Sequence, residues 1–130
     1  MADVKKVLVA DDEQQLALAL KIRLQSRGYD VQMASNGRQV LELAESAQPD
    51  LIILDVVMPT MDGYSCLREL NHRFGRGKIP VIVLTARDRM KDLFELEGIA
   101  DYVVKPFDHE DLLIRIDRVF RHETPTEHPA

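Results

Sequence analysis

The chain has 130 residues, 45% of them hydrophobic and 30% charged, with 17 Lys and Arg against 22 Asp and Glu for a net charge of -5. A single domain of this length buries roughly two thirds of its unfolded surface without staples, and one cysteine, Cys66, excludes a disulfide framework and points to a reducing compartment. The acidic balance argues against a sequence-independent grip on nucleic acid, which needs Lys and Arg to displace counterions, and no apolar stretch approaches the ~20 residues of a membrane span.

Met1, Ala2 and Asp3 lead straight into an apolar run rather than a signal-peptide core, so a soluble, cytoplasmic protein is expected. That run, Val7 to Ala10, is short and uniformly apolar, as in a strand buried on both faces of a parallel sheet. It ends on Asp11 and Asp12. Leu16, Leu20 and Leu24 then recur every fourth residue beside Ala17 and Ala19, which predicts a first helix that stops at Gly28. A shorter strand is expected over Tyr29 to Met33. The second helix, Gly37 to Ala47, carries Val40, Leu41 and Ala44 on one face and ends before Pro49.

The third strand, Leu51 to Leu54, ends on Asp55. A third helix follows from Gly63 to Phe74, with Cys66 as core filler and Leu67 and Leu70 inward, until the polar stretch Gly75 to Lys78, expected to be mobile, breaks it. Val81 to Leu84 forms the fourth strand and ends on Thr85. The fourth helix, near Arg89 to Glu97, has only Met90, Leu93, Phe94 and Leu96 as apolar material, so it should dock most weakly. Tyr102 to Val104 is the fifth strand, closed by Lys105. Asp108 can cap a fifth helix bearing Leu112, Leu113, Ile116, Val119 and Phe120 at helical spacing. After Arg121, residues 122–130 read as a disordered tail or a cut linker, which leaves one domain over residues 1–121. Strands alternating with helices and joined by right-handed crossovers make a doubly wound α/β sheet, whose ligand site lies beyond the carboxyl ends of the strands.

The chemistry gathers at that edge. Mg²⁺ takes oxygen ligands, usually one or two carboxylates plus phosphate oxygens, and Asp11, Asp12 and Asp55 suit it. With a cation relieving the repulsion between crowded carboxylates, Asp55 can act as a nucleophile toward a phosphoryl group. Lys105 adds a compact positive charge for the same oxygens, and Thr85 a hydroxyl donor. Taken singly, an aspartate after a strand can be only a helix cap, as Asp12 or Glu13 could be, and a Lys-Pro pair only a turn. Four strand ends carrying Asp-Asp, Asp, Thr and Lys are hard to assign to capping alone.

In this ordered set the chain resembles the receiver domain of bacterial two-component response regulators, over essentially Lys5 to Arg121. The residues that carry the likeness are Asp11 and Asp12; Asp55 with Met58-Pro59-Thr60-Met61-Asp62-Gly63; Thr85-Ala86; and Lys105-Pro106-Phe107. The resemblance implies a flavodoxin-like (βα)5 fold of strand order 2-1-3-4-5. It implies that Asp55 accepts a phosphoryl group from the phosphohistidine of a sensor histidine kinase or histidine phosphotransfer protein. It further implies that Asp11, Asp12, Asp55 and the main-chain carbonyl of Val57 hold Mg²⁺, for which Mn²⁺ can substitute, and that Lys105-Pro106 is a cis peptide.

The resemblance also assigns a switch to Thr85 and Tyr102, read out on the face of helix four, strand five and helix five by a downstream protein target, with no direct nucleic-acid contact and no membrane. A monomer or a phosphorylation-dependent dimer fits it. Such a protein is a phosphoacceptor rather than an enzyme acting on a separate substrate. Two positions influence how water reaches the phosphoryl group, Val57 and Arg87: valine cannot orient an attacking water, and arginine can either shield or hold the phosphoryl oxygens, so slow self-dephosphorylation is expected. Glu97 and Ile99 depart from the small residues common beside Gly98, placing bulk and charge on the signalling face. The four histidines, His72, His109, His122 and His128, match no metal spacing and are expected to be solvated.

Two other functions share parts of this pattern. A flavodoxin-like cofactor carrier would need a first loop that cradles phosphate, and Asp11, Asp12 and Glu13 would repel one. A haloacid-dehalogenase-like Mg²⁺-dependent phosphatase would place a second aspartate where this chain has Val57. Whether the chain acts alone or regulates an attached output domain stays open at this point.

Overall fold

The computed structural model describes residues 4–58, 61–86 and 91–121. Ten elements alternate without exception: β1 (Lys6–Ala10), α1 (Gln14–Ser26), β2 (Asp30–Ala34), α2 (Gly37–Ala47), β3 (Leu51–Asp55), α3 (Gly63–Phe74), β4 (Val81–Thr85), α4 (Lys91–Leu96), β5 (Asp101–Val104) and α5 (His109–Arg121). The strands form one parallel sheet in the order β2-β1-β3-β4-β5. This is the doubly wound, flavodoxin-like arrangement expected from the sequence.

Strand residues alternate between two cores, because successive side chains point to opposite faces. Leu8, Ala10, Ile52, Leu54, Val81, Val83 and Tyr102 face α2, α3 and α4. Val7, Val9, Leu51, Ile53, Ile82, Leu84 and Val103 face α1 and α5, whose Ala17, Leu20, Leu24, Leu112, Leu113 and Ile116 cover them. The central strands β3 and β4 are buried at every position, as a sheet covered on both sides requires.

Local chemistry sets the boundaries. The side chains of Asn36, Asp62 and Asp108 accept hydrogen bonds from the first-turn amides of Gln39 (2.9 Å), Ser65 (2.8 Å) and Glu110 (3.1 Å), caps that contribute about 1 kcal/mol each. Helix α2 stops where Gln48 turns left-handed, immediately before the buried Pro49. Strands β3 and β4 run one residue further than their apolar runs, so Asp55 and Thr85 are the last strand residues rather than the first loop residues.

Two expectations are corrected. His109 is not simply solvated: its Nδ1 is buried without a hydrogen-bond partner, and its ring packs edge-on against Phe107. Glu97 does not project from the signalling face either, because its side chain turns back to α3, where Tyr64 and Asn71 donate to it. The stretch after α3, expected to be mobile, is tied to the end of α4 by the Arg76 guanidinium, which donates to the Leu96 carbonyl at 2.9 and 3.2 Å. Of the fourth helix as expected, Arg89 and Met90 lie outside the described residues, as do residues 122–130.

Candidate functional site

Register brings the acidic residues together. Ala10 pairs with Leu54, so Asp11 and Asp55 stand level at the carboxyl edge of adjacent strands. Thr85 pairs with Val104 on the far side of β3, which brings Lys105 to the same edge. Asp11, Asp55 and Thr85 are the buried polar residues among those described, at 2%, 4% and 2% exposure. A polar side chain is held in so dry a place only when its partners are arranged around it.

Lys105 is the main partner. Its Nζ lies 3.1 Å from Asp11 Oδ2, where it donates a hydrogen bond, 3.4 Å from Asp55 Oδ2 and 3.5 Å from Glu13 Oε1. The Glu13 contact was missed by reading the sequence, although its place directly after two aspartates was a signal. The other oxygen of each buried carboxylate is met by backbone: Glu13 N donates to Asp11 Oδ1 at 2.9 Å, and Val57 N to Asp55 Oδ1 at 3.4 Å. Glu13 occupies the N-cap position of α1 without a capping side chain, so neither Asp12 nor Glu13 is there as a cap.

One ammonium does not balance these carboxylates. Burial, followed by the charge of Asp11, pushes the Asp55 carboxyl up to about 6 despite the opposing pull of Lys105 and the Val57 amide. Burial works against the Lys105 ammonium, but its hydrogen bond to Asp11 and the charges of Asp55 and Asp11 outweigh that cost and hold it above its ordinary value. A divalent cation would relieve the excess. Asp11, Asp12 and Asp55 each offer a carboxylate oxygen, all within 4.8 Å of one another, and such a hard, three-oxygen donor set on a partly open edge fits Mg²⁺.

Access comes from loops. Gly63 opens α3 against the back of the acceptor: a Cβ there would lie 2.5 Å from the Asp55 carbonyl oxygen, so only glycine permits this approach. Val57 is exposed beside Asp55, while its amide stays within the site. The Lys105–Pro106 peptide is cis. Beside Lys105 runs a cleft of about 360 Å³ whose walls include Leu16, Ala86, Pro106 and Phe107. Tyr102 is buried on the α4 side of the sheet with its ring centroid 6.0 Å from that of Phe94. Arg87, Pro59 and Thr60 lie outside the described residues. Cys66 packs in the core, where burial pushes its thiol up to about 12, so it is no nucleophile.

A parallel sheet in this order, with acidic residues and a lysine at its carboxyl edge, is the arrangement of a receiver domain. The chain belongs to the response regulator receiver domain family, which it matches over residues 7–117. It is 39% identical over 124 residues to the response regulator MprA of Mycolicibacterium vanbaalenii, an alignment covering 94% of this chain and 53% of that protein. Among solved structures, the receiver domain of the Francisella response regulator 1452 superposes with a TM-score of 0.83 at 34% identity, covering 92% of this chain and 99% of that one. The response regulator TrrA of Thermotoga maritima, solved in complex with Mg²⁺ and BeF, superposes with a TM-score of 0.79 at 32% identity, covering 89% and 99%.

The chain is therefore a signalling domain of two-component systems, in which response regulators work with histidine kinases, and receiver domains bind Mg²⁺ at an acidic pocket of this kind. It spans about half the length of the curated relatives it matches. Among the described residues, no helix is long and apolar enough to cross a membrane.

Proposed function

We propose that the protein is the phosphoacceptor of a phosphorelay, taking a phosphoryl group onto Asp55 from the phosphohistidine of a sensor histidine kinase or histidine phosphotransfer protein. One observation supports this above the rest: a buried carboxylate, raised by burial and by Asp11, with Lys105 Nζ 3.4 Å away and two further carboxylates beside it. Asp11, Asp12 and Asp55, with the main-chain carbonyl of Val57, would hold Mg²⁺. When bound, the ion neutralises charge on phosphoryl oxygens that the carboxylates would otherwise repel.

The protein's own groups do the rest. Asp55 must be ionised to attack, so an oxygen lone pair forms the new O–P bond as the P–N bond to the donor imidazole breaks and its electrons return to the ring. The product is an acyl phosphate. Lys105 loses its bond to the Asp55 oxygen and takes up a phosphoryl oxygen instead. The Val57 amide, two residues past β3, and the Thr85 hydroxyl, at the end of the adjoining β4, would donate to others. The apolar cleft beside Lys105 suits a protein donor better than a small soluble phosphate.

Phosphorylation adds roughly -1.5 to -2 charge to an edge already rich in carboxylate, so the surroundings must rearrange. A charge-assisted hydrogen bond is worth about 1.5 to 3 kcal/mol, and moving an equilibrium from 1:99 to 99:1 takes about 5.5 kcal/mol. Two or three new contacts, from Thr85, Lys105 and an amide, supply that. Thr85 and Tyr102 form the switch, and the face of α4, β5 and α5 carries it to a downstream protein target. Exposed Leu93, Leu96, Val104 and Ile114 give that face its apolar character. Val57 and Arg87 set a slow dephosphorylation rate.

Mass spectrometry after incubation with acetyl phosphate and Mg²⁺ tests the acceptor directly. The native chain should gain one phosphoryl group and Asp55→Asn none; equal labelling of both would remove Asp55 as acceptor. Tyr102→Ala should be labelled normally yet bind the downstream partner more weakly. Unchanged partner affinity in the phosphorylated variant would end the switch role of Tyr102.

A further inference from the structure

We propose that Tyr64 and Glu97 latch α4 to α3, and that this latch opposes the rearrangement that follows modification of Asp55; it rests on Asp55 being the acceptor. Tyr64 directly follows Gly63, the residue pressed against the Asp55 main chain. Gly63 N also donates to the Val56 carbonyl at 2.7 Å, so the start of α3 cannot shift independently of the acceptor strand. The Tyr64 ring then stands edge-on to Phe94, with centroids 5.3 Å apart and planes at 86°. Its hydroxyl donates to Glu97 Oε2 at 3.2 Å.

Glu97 is held from α3 a second time. Asn71 Nδ2 donates to its main-chain oxygen at 2.7 Å and lies 3.4 Å from its Oε1, while Arg68 Nε stands 3.9 Å from Oε2. Phe94 is fully buried, and the other five residues of α4 are exposed. Among the described residues, α4 is therefore fastened by one ring and by its carboxyl end. That ring neighbours both Tyr64, at 5.3 Å between centroids, and Tyr102, at 6.0 Å. If Tyr102 turns, Phe94 must give way, and the Tyr64–Glu97 bond resists.

With Asp55 as a free carboxylate bonded to Lys105, the latch holds α4 in the position seen here. Coupling between two sites is reciprocal, so weakening the latch must favour whatever the modified aspartate favours. Tyr64→Phe keeps the ring and removes only the hydroxyl. Glu97→Ala removes the acceptor carboxylate, and Glu97→Gln keeps an oxygen to receive the bond.

Beryllofluoride with Mg²⁺ is the probe, titrated against the intact chain by NMR alongside hydrogen exchange of the α4 amides. Tyr64→Phe and Glu97→Ala should each bind it about fivefold more tightly than native and speed exchange over Lys91 to Leu96. The double variant should gain no more than either single one, and Glu97→Gln should behave as native. Unchanged or weaker binding, additive effects, or unaltered α4 exchange would overturn the latch while leaving the acceptor intact. Failure of the native chain itself to bind the probe would remove the acceptor reading, and the latch with it.

Discussion

Two charged regions of this molecule handle the same residue types in opposite ways. At the carboxyl edge of the sheet, Asp11, Glu13 and Asp55 surround one lysine with Asp12 close to the two aspartates, and two of the carboxylates are almost inaccessible to water. Along α5 the charges stand half open to solvent, each arginine shared between two carboxylates: Arg115 meets Asp101 at 2.9 Å and Asp111 at 3.0 Å, and Arg27 meets Glu110 at 3.3 Å and Asp117 at 3.8 Å. There Tyr29 donates to Asp117 at 2.5 Å and stacks on Phe120, while Lys5 sits over the same ring. Burial, then the hydrogen bond to Asp117, raises the Tyr29 hydroxyl well above its ordinary value, so it remains a donor throughout the working range.

The difference separates stability from function. Solvated pairs contribute little and tolerate loss. Unmatched, buried charge destabilises the resting protein, but it creates an affinity for cations that a relaxed surface would lack. Perturbed carboxyl groups concentrate where chemistry is done for this reason.

The largest effect that tests the contrast is at Asp55. Its folded carboxyl sits at about 6 against an ordinary 3.8, so the folded state binds the proton more tightly than the unfolded state does. That advantage is full below about pH 4 and is lost as pH rises through about 6. In metal-free buffer, Asp55→Asn should be equal to the native chain in this respect at low pH and more stable by roughly 1 to 3 kcal/mol at pH 7. Urea denaturation at a series of pH values measures this. A variant less stable than native at pH 7 would mean that the edge is balanced after all.

A smaller effect is expected along α5. Tyr29→Phe keeps the stack on Phe120 and loses one hydrogen bond to a half-exposed carboxylate, which should cost about 1.5 kcal/mol, the low end for a charge-assisted bond, in the same assay, with no change in acceptor labelling. The smallest belongs to Arg27→Ala, whose partners are exposed: about 0.5 kcal/mol or less, and nothing measurable in high salt. A loss of several kcal/mol at Arg27 would erase the distinction between the two regions.

Much of this is legible in the amino-acid sequence. Helix α2 runs from Gly37 to Ala47 as its periodicity predicts, because Val40, Leu41 and Ala44 make a single stripe and Pro49 stops it. The thin stripe of α4 is reflected in one buried residue, Phe94. Glu97 and His109 differ from expectation for separate reasons. Glu97 is a polar residue whose neighbours come from elsewhere in the chain, Tyr64 and Asn71, 33 and 26 positions away, whereas His109 packs on Phe107, two residues before it, and buries its Nδ1. Local pattern says which residues are polar, not which of them find a partner.

By itself, then, the amino-acid order determined to within a residue where strands begin and stop, and which charged groups stand at their ends, since runs buried on both faces admit no polar residue until the sheet edge is reached. Only the tertiary structure decided how those ends are shared: that Lys105 reaches Asp11 across 94 positions, that Glu13 joins them, and that Tyr64 closes on Glu97. Such contacts depend on strand order and register, which act through space between segments that no periodicity along the chain relates.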